Sequence, residues 1–187
     1  MRRTSYIAQA GVIAAVYAAF TVVVLQLPGQ LGWGLVQFRV SEALTVLAVL
    51  SPAAVPGLAI GTLVANGFTV AQVGPIGLFD VIFGSAATLF GALWTWRFRN
   101  RRALALLGPV VTNALIVPAY LPIVLAGLGL YRLPLLGIDL EGSWAAMYAF
   151  GILSVGIGEA VVVYGLGWPL LVALERSRIG ATLRRRD

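Results

Sequence analysis

Apolar residues run along this chain in long blocks parted by short polar joints, without the strict alternation of a half-buried strand. The first block, Tyr6 to Leu27, has about 22 residues, enough for a helix to span a ~30 Å hydrocarbon core. It is too long for the apolar region of a secretory signal, and no small-residue cleavage pattern precedes Leu27-Pro28-Gly29, so a first helix over 6–27 is expected. Glycine and proline mark residues 28–34 as a loop, with Trp33 as an interfacial anchor or part of a lid. A second helix over 40–50 covers only ~17 Å, too little to cross alone, before breaks at Ser51-Pro52 and Pro56-Gly57. A third follows over 57–73. The second and third either cross as short tilted helices or dip in and return, and both options begin and end on the same side.

Helices are further predicted over 77–96, 103–131 and 144–174, with Pro109, Pro118 and Pro122 kinking the fifth. A basic tail, 175–187, closes a single integral domain over 1–187 with no internal repeat. The expected fold class is therefore an all-α membrane protein with six transmembrane helices.

Composition agrees with that pattern and narrows the chemistry. Of 187 residues 60% are hydrophobic and 11% charged, which suits neither a soluble nor a disordered chain. Cysteine, histidine and lysine are absent. That removes thiol nucleophiles, the commonest general base and metal ligand, and the lysine of a phosphate-binding loop. Any ATP-driven work falls to a partner, and neither a metal site nor a catalytic group is expected. Isolated carboxylates do not make an intramembrane protease. The net charge of +6 does not point to nucleic acid: arginines gather at segment ends, where anionic headgroups explain them. With the N-terminus inside, all but Arg39 and Arg132 fall on the inner side, so both termini are predicted cytoplasmic.

The polar residues inside apolar blocks carry the remaining information. Arg39 and Glu42 are spaced to share one helix face, either as a structural ion pair or as the wall of a polar site. Asn66, Asp80 and Trp144 are predicted near the same outer level, with Asn113 and Glu159 deeper. Glu42, Asp80 and Glu159 set three acids against one buried base, an excess that protonation or a cationic, donor-rich ligand would relieve. Asp80 also suits the first turn of its helix, and Glu159 could merely bond a neighbouring helix. Carboxylates, amides and tryptophan facing outward suit a small, polar, planar solute. In helix 1, Ala10, Ala14 and Ala18 form a small-residue row beside Gly11, Ala15 and Ala19, for packing within the chain or against another protein.

The run from Val36-Gln37-Phe38-Arg39-Val40-Ser41-Glu42-Ala43-Leu44-Thr45 to Pro52-Ala53-Ala54-Val55-Pro56-Gly57-Leu58 resembles the queuosine-precursor transporter (QueT) family. So do Gly61 with Ala65-Asn66, Asp80 through Leu89, Asn113-Ala114-Leu115-Ile116-Val117 and Gly158-Glu159. The likeness covers nearly the whole chain in order; the 132–143 loop and the arginine-rich tail look individual. The resemblance implies an S-component of an energy-coupling factor (ECF) importer: six helices with a pocket near the extracellular side. It implies a coupling membrane protein and two cytoplasmic ATPases as partners, ATP being used by them, with no cofactor on this chain. It also implies that small residues on helix 1, here Ala10, Ala14 and Ala18, dock the coupling protein. The implied ligand is a 7-deazaguanine such as the 7-aminomethyl form. One of Glu42, Asp80 and Glu159 is expected to read the base edge and another to neutralise the amine. Asn66, Asn113 and Gln37 would serve other donors and acceptors, and Trp33 or Trp144 would cover the ring. Arg39 would orient Glu42. The rivals are an S-component for another nutrient, a proton-coupled secondary carrier and an intramembrane enzyme.

Overall fold

The computed structural model describes residues 3–25, 39–127 and 144–184, and every element among them is helical. α1 spans Arg3–Leu25. A 3₁₀ segment, Val40–Val46, passes into the short α2, Leu47–Leu50. α3, Ala54–Val73, closes in a 3₁₀ turn, Gly74–Gly77. A π segment, Asp80–Gly84, then leads into α4, Ser85–Arg97. α5 covers Arg102–Gly127 and α6 covers Trp144–Val162. A second π segment, Val163–Gly167, joins α6 to α7, Trp168–Arg176, and α8, Arg178–Arg184, follows.

Among the described residues, four stretches are long and apolar enough to cross a membrane: Arg3–Val24, Ala54–Gly77, Arg102–Val124 and Trp144–Arg176. Val40–Leu50 is apolar but shorter. Its 3₁₀ portion rises ~2 Å per residue, so it reaches further than an α-helix of the same length yet still falls short of a ~30 Å core. Large apolar side chains point outward all along the long helices, among them Val12, Val16 and Val23 on α1 and Leu153, Ile157 and Val161 on α6. In water such a surface would drive association; against lipid it is the expected exterior. The chain is a multi-pass membrane protein.

Close backbone contact sets the register of α1 on α3. A methyl group added at Gly57 would stand 2.8 Å from the Ala10 carbonyl oxygen, and one at Gly61 would stand 2.8 Å from that of Ala14. Only glycine permits this approach, and the two helices run parallel. Ala10 and Ala14 are consequently buried, at 7% and 8% exposure, while Gly11, Ala15 and Ala19 face outward. This corrects the expectation that Ala10, Ala14 and Ala18 form the row free for another protein: α3 already covers its first two members, and Ala18 is half-buried.

α5 runs unbroken through its three prolines. Pro109 cannot donate to Ala105, and Thr95 of α4 supplies a hydroxyl to that carbonyl at 3.0 Å. Gly91 of α4 lies against Pro109, and Gly151 of α6 lies against Pro118. Small residues thus seat both neighbours on the proline ridges of α5.

The two ends of the bundle differ in charge. Leu50, Leu106 and Leu171 meet in one cluster, which brings the ends of α2 and α7 to the start of α5. There Arg102 pairs with Glu175 at 2.8 Å. Tyr6 donates to Pro52, and Ser51 donates to Gln9 at 3.1 Å, so the start of α1 lies at this end too. Arg3, Arg97, Arg99, Arg101, Arg102, Arg176 and Arg178 therefore share one end, here the arginine end. Arg39 stands toward the other, which carries Trp144.

Candidate functional site

Two groups of polar side chains occupy the interior, stacked along the bundle axis. The upper group, toward the Trp144 end, is centred on Asp80. Arg39 Nη2 lies 3.6 Å from Asp80 Oδ1, and the Tyr120 hydroxyl donates to the same oxygen at 2.6 Å. The amide of Asn66 donates to the Asp80 carbonyl at 2.7 Å and lies 3.5 Å from Ser85 Oγ. That carbonyl opens the π segment, where wide i to i+5 spacing displaces backbone acceptors from their ordinary partners. Gly84 completes the arrangement: an added methyl would stand 3.0 Å from Asn66 Nδ2 and 3.3 Å from the Tyr120 oxygen. Phe79 and Phe83 stack beside Tyr120, with ring centroids 6.2 and 5.8 Å away.

The lower group lies nearer the middle of the bundle. Thr88 is about 12 Å beyond Asp80 along its helix, and Asn113 about 10 Å beyond Tyr120 along α5. Glu42 is fully buried and its Oε1 accepts from the Tyr17 hydroxyl at 2.6 Å and from Thr88 at 2.8 Å. Its Oε2 has no hydrogen-bond partner among the described residues. Asn113, also fully buried, donates its amide to the Pro109 carbonyl at 3.0 Å and leaves Oδ1 without a partner among them. Glu159, 1% exposed, has no partner among them on either oxygen. α6 packs against the 3₁₀ segment that carries Glu42 as well as against α5. The facing register of α5 and α6, with Pro118 on Gly151 and Ala114 on Gly156, brings Asn113 and Glu159 to nearly one level.

Local backbone explains which charge meets which. Arg39 precedes the 3₁₀ segment with φ −74° and ψ 78°, outside the helical region. The shared helix face assumed for Arg39 and Glu42 therefore does not exist. Arg39 turns up to Asp80, and Glu42 turns down to Tyr17 and Thr88. The pairing expected between Arg39 and Glu42 is replaced by an Arg39–Asp80 pair.

Of the residues singled out in the sequence, Arg39, Asn66 and Asp80 meet in the upper group, and Glu42, Asn113 and Glu159 in the lower. Trp144 stands apart from both. It is 54% exposed, donates to the Ala119 carbonyl at 3.3 Å and stacks on Tyr148, which bonds the Leu115 carbonyl. These contacts tie the start of α6 to α5. Gln37 and Trp33 lie outside the described residues. Sequence reasoning passed over Tyr17, Thr88, Tyr120 and Ser85. Tyr17 in the middle of an apolar helix was the available signal, since a buried phenol needs an acceptor.

No group of three or more histidine, cysteine or carboxylate side chains suited to a metal occurs among the described residues. Chemically, the lower group offers hydrogen-bond acceptors on a carboxylate-rich wall inside a low-dielectric bundle. Such a wall receives N–H donors and positive charge far more readily than anions.

Compared with known families, the chain matches the QueT transporter family over residues 7–176. No curated protein and no solved structure matches it.

Proposed function

The chain belongs to the QueT transporter family, and from that premise we propose that it is the substrate-binding S-component of an ECF-type importer for a 7-deazaguanine. The observation that carries the reading is the lower polar group. Four acceptor atoms on Glu42, Asn113 and Glu159 are buried without partners in an otherwise apolar bundle. Each such group costs about 1–3 kcal/mol, more when charged, unless a ligand supplies donors. A guanine-like ring presents an N–H-rich edge, and a 7-aminomethyl group adds a cation that offsets the acidic excess. Asn66, through its contacts in the upper group, holds Asp80 in place above these acceptors.

The importer reading also orders the exterior. The positive-inside rule places the arginine end, and with it both termini, in the cytoplasm, so Trp144 and the upper group lie toward the outside of the cytoplasmic membrane. Four long helices, with Val40–Leu50 and the Asp80–Arg97 stretch between them, supply the six segments. Gly11, Ala15 and Ala19 form the small outward row on α1, and this row, rather than Ala10, Ala14 and Ala18, docks the coupling membrane protein. The energy comes from two partner ATPases, because a chain without lysine has no phosphate-binding loop of the usual kind.

Calorimetry of purified protein with 7-aminomethyl-7-deazaguanine tests the ligand, with saturable one-to-one binding expected. Liposomes containing the chain alone test the transport class: no uptake is expected until the coupling protein and ATPases are added. Uptake driven by a proton gradient without them would establish a secondary carrier instead.

A further inference from the structure

The two polar groups do not offer a ligand the same thing. Asp80 already receives the Tyr120 hydroxyl and faces Arg39, and Asn66 is engaged with the Asp80 carbonyl. Glu42 has one oxygen doubly occupied and one free. Glu159 is the carboxylate with both oxygens free, and Asn113 Oδ1 stands at nearly its level. A carboxylate with two open oxygens matches two parallel N–H bonds on a planar edge, the fork geometry that makes bidentate contacts strong and selective.

Resting on the transport reading above, we infer that Glu159 is the residue that selects the ligand's paired N–H donors, accepting side by side from the ring N–H and the adjacent exocyclic amino group. Asn113 Oδ1 accepts a further N–H, and Glu42 Oε2 faces the positive charge. Asp80 is not a ligand carboxylate: with Arg39 it forms a self-neutralised pair that positions the 3₁₀ segment, and through it Glu42. The class of substrate that follows is a planar heterocycle carrying a 2-amino group next to a ring N–H. Planar rings with the same shape but no amino group are rejected.

The decisive experiment is a cycle between protein and ligand. Binding of 7-aminomethyl-7-deazaguanine and of its analogue lacking the 2-amino group is measured by calorimetry on wild type, Glu159→Gln and Asp80→Asn, in detergent. Wild type is expected to bind the analogue about 100-fold more weakly, since an unfilled buried acceptor carries a large penalty. In Glu159→Gln the parent ligand weakens by about 100-fold, and the difference between the two ligands shrinks to about threefold. Asp80→Asn keeps the full discrimination at whatever affinity remains. Full discrimination retained by Glu159→Gln overturns the assignment, as does equal binding of both ligands to wild type, a result that requires no variant to fold. Wild type binding neither ligand overturns the transport reading itself.

Discussion

The upper and lower polar groups contain similar side chains, and their difference lies in how their acceptors are occupied. Around Asp80 the charge is closed on itself: a guanidinium at 3.6 Å, a phenol at 2.6 Å and an amide on the backbone carbonyl. In the lower group no described residue closes it, and four acceptor atoms on Glu42, Asn113 and Glu159 remain open. A satisfied cluster holds helices in register, whereas an open one in a low-dielectric interior is stable only if something arrives to fill it. On the function proposed above, the first arrangement serves as scaffold and the second as receptor. The aromatic stack of Phe79, Phe83 and Tyr120 lies beside the scaffold group, not the receptor group.

The contrast can be broken from either side. The largest effect is expected from Glu159→Gln, about 100-fold in affinity, equivalent to about 2.7 kcal/mol, while the ligand-free protein keeps or raises its unfolding midpoint. A lowered midpoint with unchanged affinity would make Glu159 scaffold and erase the distinction. Next comes Arg39→Leu, which strands a partly buried carboxylate. With side-chain exposures of 20% and 18% some solvent screening remains, so a loss of about 2 kcal/mol is expected in denaturant unfolding. The double variant Arg39→Leu, Asp80→Leu should recover at least half of that loss, and its ligand discrimination should be that of wild type.

A smaller effect is expected from Tyr17→Phe. It removes one of two hydroxyls from Glu42 Oε1 and should cost about 1 kcal/mol of stability, with a several-fold loss of affinity as the carboxylate loses its orientation. The smallest is Gly84→Ala, about 1 kcal/mol in stability and no change in discrimination, because its methyl presses on Asn66 and Tyr120 and touches Arg39, all in the upper group. Docking gives an independent check on the exterior. Ala15→Leu should abolish pull-down of the coupling protein while leaving ligand affinity unchanged, whereas Ala14→Leu should disrupt the fold itself.

Much of this was legible before any coordinates. Among the described residues the helices fall close to their predicted bounds, and Arg39, Glu42, Asn66, Asp80, Asn113 and Glu159 all fall in the two interior polar groups. The basic tail contains a further short helix, α8, over Arg178–Arg184. The partners Tyr17, Thr88 and Tyr120 escaped notice because a hydroxyl in an apolar helix reads equally well as packing, and its role appears only when a carboxylate from a distant segment meets it. Trp144 is the converse case: its place at the head of α6 is clear from the chain, but the direction of its ring depends on α5.

The division follows from the range of the forces involved. Transfer of an apolar run into lipid, and the cost of a charge within it, are properties of contiguous residues, so the bundle and its list of conspicuous polar groups could be read along the chain. Pairing depends on distances between segments. Gly57 and Gly61 on α3 decided that the Ala10 row, and not the Gly11 row, packs inside the chain. The choice between Glu42 and Asp80 as the partner of Arg39 was settled by one non-helical ψ angle and by where α4 stands. Which acceptors are left open is a property of the packed bundle alone, because an atom is free only after every neighbour has been placed.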